Sequence, residues 1–200
     1  MNRRGFLKLG LGGTLVLGAA GLGVHLGGYN NAPAGKPEGQ AARVPDHDFQ
    51  FLSRQDIVLF QALLPALLAG ALPASPEPYQ RSMDNTLIRI DQGISAFSPA
   101  NRQQLRKLFD LLNLAPGRIA LAGIWRDWST VSQEQAHAFL QRWRDSRFGL
   151  LNSGYIALSK LTNVAFYGAR EHWPASGYPG PPAWAVSALP QFHNRRNRHD

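Results

Sequence analysis

The chain is 200 residues long and carries 21 Lys and Arg against 13 Asp and Glu, a formal net charge of +8. Hydrophobic residues make up 44% of it, enough for one packed domain and too many for a chain disordered throughout. The complete lack of cysteine excludes disulfides, iron–sulfur clusters, thiolate zinc sites, cysteine nucleophiles and haem attached through C-x-x-C-H.

The N-terminus reads as an export address. Arg3-Arg4, then Phe6-Leu7 and Lys8, resembles the core of the bacterial twin-arginine (Tat) signal. Between Lys8 and Lys36 lie 27 uncharged residues, a run long enough to span a bilayer. Eight of the twenty residues from Leu9 to Gly28 are glycine. Glycine adds no apolar area and weakens a helix by about 1 kcal/mol relative to alanine, so the run is a poor permanent anchor. Ala32-Pro33-Ala34 supplies a small-x-small cleavage pattern, which sets off a signal peptide over residues 1–34. The alternative is an uncleaved glycine-rich helix with Arg3, Arg4 and Lys8 held inside. Either way the signal sends the body of the protein to the periplasm. Without residues 1–34 the charge is 18 minus 13, or +5, and three of the basic residues are Arg195, Arg196 and Arg198 at the very end. A nearly neutral body with no basic stripe argues against nucleic acid as a partner.

Residues 35–50 are polar, contain Pro37 and Pro45, and read as a linker. The domain then runs over 51–192. Ser53 before Arg54-Gln55-Asp56 is an N-cap signal, and Ile57, Leu59, Phe60, Leu63, Leu64, Leu67 and Leu68 follow at helical spacing. Pro65 should bend or break that helix. Gly70, Pro73, Pro76 and Pro78 end the segment, and a second helix is predicted from about Tyr79 to Phe97, with Leu87, Ile90 and Ile94 on one face. Ser98-Pro99 starts a third, with Leu105, Leu108, Phe109, Leu111 and Leu112 apolar. Pro116 opens a short helix that Gly123 breaks, and Ser132-Gln133-Glu134-Gln135 forms a capping box. The last long helix runs from Phe148 to Tyr167 and carries Leu150, Leu151, Ile156, Leu158, Leu161, Val164 and Phe166. No segment alternates with period two. The fold class is therefore all-α, a compact bundle of five or six helices.

Beyond Gly168 the texture changes. Residues 169–192 hold Trp173, Tyr178, Trp184 and Phe192 among Pro174, Pro179, Pro181, Pro182 and Pro190. The prolines predict an extended path with no further helix. Two readings stay open for this stretch: a strap packing its aromatics across the bundle, and a preorganised binding surface of the kind that tryptophan and tyrosine dominate. Residues 193–200 read as a basic, disordered tail.

Catalytic and metal motifs are missing. None of the six histidines sits in H-E-x-x-H, and there is neither a phosphate-cradling G-x-x-x-x-G-K-[ST] nor a G-x-S-x-G nucleophile turn. Asp84 and Asp91 flank Arg89 on one helix and read as charge balance; Asp110 and Asp127 have no catalytic spacing. A stand-alone enzyme would have to build its site from residues such as Asp91, Asp127 and His137. A third possibility is a structural protein tethered by an uncleaved signal.

Phe166-Tyr167-Gly168, then Trp173, then Gly177-Tyr178-Pro179-Gly180-Pro181-Pro182, is a distinctive ending. With the Tat signal and an opening helix ending in Leu63-Leu64-Pro65, it resembles the small subunit (gamma chain, or subunit 3) of membrane-associated gluconate 2-dehydrogenase, over about Phe51 to Trp184. The resemblance implies a complex. A large FAD-dependent flavoprotein of the glucose–methanol–choline type oxidises a sugar, polyol or sugar acid, and a multihaem cytochrome c passes the electrons to the membrane. The small subunit binds no cofactor or metal and has no catalytic residue; it serves assembly and export. A flavoprotein that folds around FAD in the cytoplasm could cross bound to the Tat signal of this chain, through the Tat translocase. In such a complex the bundle would dock on the flavoprotein, with Trp173, Tyr178, Pro179, Gly180, Pro181 and Trp184 expected as interface or strap anchors.

Overall fold

A computed structural model describes residues 44–188. The twin-arginine motif, the cleavage tripeptide, the linker as far as residue 43 and the basic tail lie outside the described residues. Five long helices and a short one follow in order: α1 (Arg54–Leu67), α2 (Pro76–Ser95), α3 (Pro99–Asn113), α4 (Gln133–Arg144), α5 (Gly149–Tyr167) and α6 (Ala183–Ala188). Between α3 and α4 the chain makes a short helical turn, Ala115–Gly117, that runs on as a π-helix, Arg118–Ala122. Among the described residues there is no β-strand, and the fold is an all-α bundle.

Helix starts follow the local sequence closely. The Ser53 and Ser132 side chains each accept the N–H three residues on, and Asp56 and Gln135 bond back to complete two capping boxes. Ser98 caps α3 with Pro99 at its first position. Gly123 ends the π-helix in the left-handed conformation, φ 64°, which a side chain would disfavour.

The apolar spacing of α1 places it at the centre. Ile57, Leu59, Phe60, Leu63 and Leu64 are all fully buried, and α1 touches each of the other four long helices. At roughly 1.5–3 kcal/mol per fully buried side chain, this one helix contributes a large share of the burial that drives folding. Phe60 meets Phe109 of α3 edge-to-face at 5.3 Å, and Phe139 meets Trp143 at 4.8 Å on α4. Gly154 lets α5 lie directly on the Trp143 ring, where a methyl group would overlap it.

Several sequence expectations are corrected. Pro65 does not interrupt α1, which runs on to Leu67. It lies so near the helix end that it removes a single ladder bond, and buried Leu63, Leu64 and Ala66 hold the turn around it. Pro76 begins α2 instead of ending the preceding segment, because Ser75 is the N-cap and proline suits the first turn. The segment read as linker up to residue 50 ends inside the fold: Phe49 is buried in the core. Ile156 and Val164, assigned to the apolar face of α5, are 40% and 75% exposed. The C-terminal stretch does contain another helix, α6, started by the Ala185 N–H to Pro182 carbonyl bond at 2.9 Å.

Candidate functional site

The end of α5 and the chain that follows it form one aromatic surface, organised around Trp173. Its indole Nε1–H donates to the Tyr167 carbonyl at 2.9 Å, closing the C-terminus of α5. Its own carbonyl accepts three bonds, from the Ser176 N–H (3.1 Å), the Ser176 hydroxyl (2.8 Å) and the Tyr178 N–H (3.1 Å). The Tyr178 ring packs edge-on to Trp173 at 5.2 Å, and the Arg170 guanidinium lies over the indole at 5.8 Å. Gly177 and Gly180 both take positive φ, 70° and 99°, to wrap the chain around the ring. A Cβ at Gly180 would stand 3.1 Å from the indole, so the close approach needs glycine there.

The two readings left open for this stretch therefore divide by residue. Trp173 is half-buried and acts as the strap anchor, while Tyr178 and Trp184 are 46% and 73% exposed. Pro179 is exposed, Pro181 is half-buried, and Gly180 is half-buried beside Trp173. Tyr167 and Val164, read from the sequence as a helix end and a core-face residue, are exposed as well. Both lie on an outer face of α5 with Ile156, Lys160 and Asn163. The signal was present in the sequence, since α5 carries more apolar residues than one buried face of a helix can hold.

The strap is fixed to the bundle from beneath. His172 is buried and stacks on Phe166 at 3.7 Å with the rings nearly parallel, and Glu171 accepts from Asn85 of α2 at 3.0 Å. Burial pushes the His172 pKa below the usual histidine value; Glu171 opposes the shift and Arg89 adds to it. The ring is held neutral as part of the packing.

The carboxylates have structural tasks. Asp91, fully buried on α2, accepts the N–H groups of Gln50 (3.0 Å), Phe51 (2.9 Å) and Leu52 (2.8 Å), clasping the chain just before α1. His47 lies 3.6 Å from the same carboxylate. Charge balance with Arg89 was therefore too weak a reading of Asp91. Asp127 caps the following turn through the Ser129 N–H at 3.0 Å and lies 3.8 Å from Arg118. His137 is exposed on α4, with its Nε2 3.0 Å from the Gln141 amide nitrogen. Asp91, Asp127 and His137 thus each serve a separate local arrangement.

A small depression between α1, α4 and α5 is lined by His137, Gln141, Tyr155, Ser159 and Asn163, with Arg144 at its edge. Arg144 is engaged by Asp145 at 2.8 and 3.1 Å, so its charge is largely answered within the chain. Among the described residues, no group of three or more His, Asp or Glu is placed to hold a metal ion. Nor is any described helix long and apolar enough to cross a membrane.

Comparison with protein-family models, with curated proteins and with solved structures found no match for this chain.

Proposed function

We propose that this chain is a non-catalytic small subunit of a periplasmic, membrane-associated FAD-dependent dehydrogenase of the glucose–methanol–choline type, acting on a sugar, polyol or sugar acid. Its task is assembly and Tat co-export of the flavoprotein. The observation that carries this reading is the exposure of Tyr178, on a backbone that Trp173 fixes in shape, and of Trp184 farther along the same stretch. Exposed aromatics on a preorganised frame lose little conformational freedom on binding, which is how interface anchors gain affinity. The twin-arginine motif at Arg3 and Arg4 supplies the export half of the reading, and haem c belongs to a cytochrome partner.

Tagged protein purified from periplasm and membrane tests the proposal. A co-purifying large chain with a flavin absorbance band supports it; a colourless lone chain from cells expressing the neighbouring genes overturns it. Replacing Arg3 and Arg4 together by lysine tests the escort role separately. Both this chain and the flavoprotein should then stay in the cytoplasm, and flavoprotein reaching the periplasm normally would remove that role.

A further inference from the structure

We infer that a second surface, at the turn end of the α4–α5 hairpin, is a docking site for an anionic lipid surface. Its two apolar contacts are Trp125 and Phe148, which are 78% and 75% exposed. Side chains this exposed on loops stand out from the surface; they do not line a groove.

The fold ties together the two segments that carry these residues. Arg142 and Trp143, in the last turn of α4, donate to the carbonyls of Ala122 and Leu121, tying α4 to the π-helix. Trp125 follows Ala122 by three residues, and Phe148 follows Arg142 by six. The Trp125 loop is pinned on both sides. Gly123 turns it out in the left-handed conformation, and Trp128 anchors its far end by donating from Nε1 to the Leu112 carbonyl at 2.9 Å. Trp125 is thus presented by a loop with little freedom of its own.

Charge decides the occupant. Residues 118–127 and 142–148 contain five arginines against Asp127 and Asp145, a local net charge of +3 by count. Arg126 and Arg147, the immediate neighbours of Trp125 and Phe148, are both exposed. Phe148 is also the N-cap of α5, whose first turn has no acidic residue and no capping side chain, so the positive end of that helix dipole lies at the same place. Tryptophan and phenylalanine inserted at the headgroup level, with arginines beside them on the phosphates, is the chemistry by which proteins without a spanning helix hold a bilayer surface. An acidic protein partner would accept the arginines equally, but two separately projecting aromatics suit a fluid interface better than a fixed pocket.

The full-length protein is mixed with vesicles of phosphatidylcholine containing phosphatidylglycerol, using brominated acyl chains near the headgroup as quenchers of tryptophan. The readout is the quenched signal that disappears in Trp125→Phe, which isolates Trp125 from the N-terminal apolar run and from the other tryptophans. Trp125 should be quenched with anionic vesicles and much less with phosphatidylcholine alone. Arg126→Gln with Arg147→Gln should weaken binding through this face by roughly 10–30-fold, from about fivefold per arginine. Because these residues are exposed, circular dichroism should show the fold unchanged. No Trp125 quenching by anionic vesicles would overturn the proposal. So would equal quenching with neutral lipid, and so would retention of full binding in the arginine variant with loss of a protein partner instead.

Discussion

Arg106 of α3 donates to both carboxylate oxygens of Asp56 on α1, from Nη1 at 2.7 Å and from Nη2 at 2.6 Å, across fifty residues of sequence. Asp56 also accepts from the Ser53 N–H and hydroxyl, each at 2.7 Å, and from the Asn113 amide at 2.8 Å, while Arg106 Nε reaches Asp110 at 2.7 Å. Burial works against the charge on Arg106, but its bonds and attraction to Asp56 and then Asp110 outweigh that and raise its pKa. A helix cap has become a buried ionic junction between two helices. Replacing Arg106 by methionine leaves Asp56 charged and buried, and should destabilise the fold by about 3–5 kcal/mol in urea unfolding. Adding Asp56→Asn to that variant should recover part of the loss; a double mutant that loses as much as the two single changes added together would refute the coupling.

The Asp91 clasp predicts a graded pair. Asp91→Ala strands three backbone N–H groups and should cost roughly 3 kcal/mol or more, at about 1–3 kcal/mol for each unsatisfied group. Asp91→Asn should cost less, because an amide oxygen in the Oδ1 position still accepts from Phe51 and Leu52. Limited proteolysis between residues 44 and 53 should follow the same order.

Gly154 gives a test in which two effects oppose. Alanine gains about 1 kcal/mol of helix propensity over glycine. Here the added methyl would overlap the Trp143 ring, and overpacking of a filled core costs about 1–3 kcal/mol. Gly154→Ala should therefore lower the melting temperature, and Gly154→Val should lower it further.

His172 fixes a direction of pH dependence. Its pKa in the folded state is lowered from 6.5, so the unfolded chain takes up a proton more readily. The stability that comes from keeping the ring neutral is fully present above pH 6.5 and is lost as pH falls from there through the folded value. His172→Phe retains a ring against Phe166 and cannot charge. The fall in melting temperature between pH 7.5 and pH 5 should be smaller in this variant than in the parent; equal slopes would show that the buried imidazole does not contribute.

Trp173 and its exposed neighbours should behave differently. Trp173→Ala removes the bond to the Tyr167 carbonyl and the ring against Gly180, and should loosen the whole strap, read as faster amide exchange at Ser176 and Tyr178. Tyr178→Ala with Trp184→Ala should leave melting nearly unchanged and reduce co-purification of a large flavoprotein. Normal co-purification in that double variant would move the interface away from this surface.

Helix identity was legible in the chain because it is written locally. Ser53, Ser98 and Ser132 announce three helix starts within four residues of sequence, and the spacing of Leu59, Phe60, Leu63 and Leu64 identifies the central helix. What failed needs contacts that spacing does not encode. Asp91 reads as one of several helix carboxylates until the chain 39 to 41 residues earlier folds against it. Ile156 and Val164 have the right period for a core face, yet among the described residues no helix covers them. Trp173, Tyr178 and Trp184 were identifiable as a group by composition; which of them is anchor and which is exposed depends on the Tyr167 carbonyl and the glycine turns.

The Asp91 clasp also determines how the folded domain meets a mechanical load. A pull on the chain before residue 49 reaches the Gln50, Phe51 and Leu52 N–H groups before it reaches the first turn of α1, and it is shared with the middle of α2 through one carboxylate. Three bonds loaded together resist more than the same bonds broken in turn, so tension from the N-terminal side that has drawn Phe49 out of the core meets this clasp next and not the fraying end of a helix.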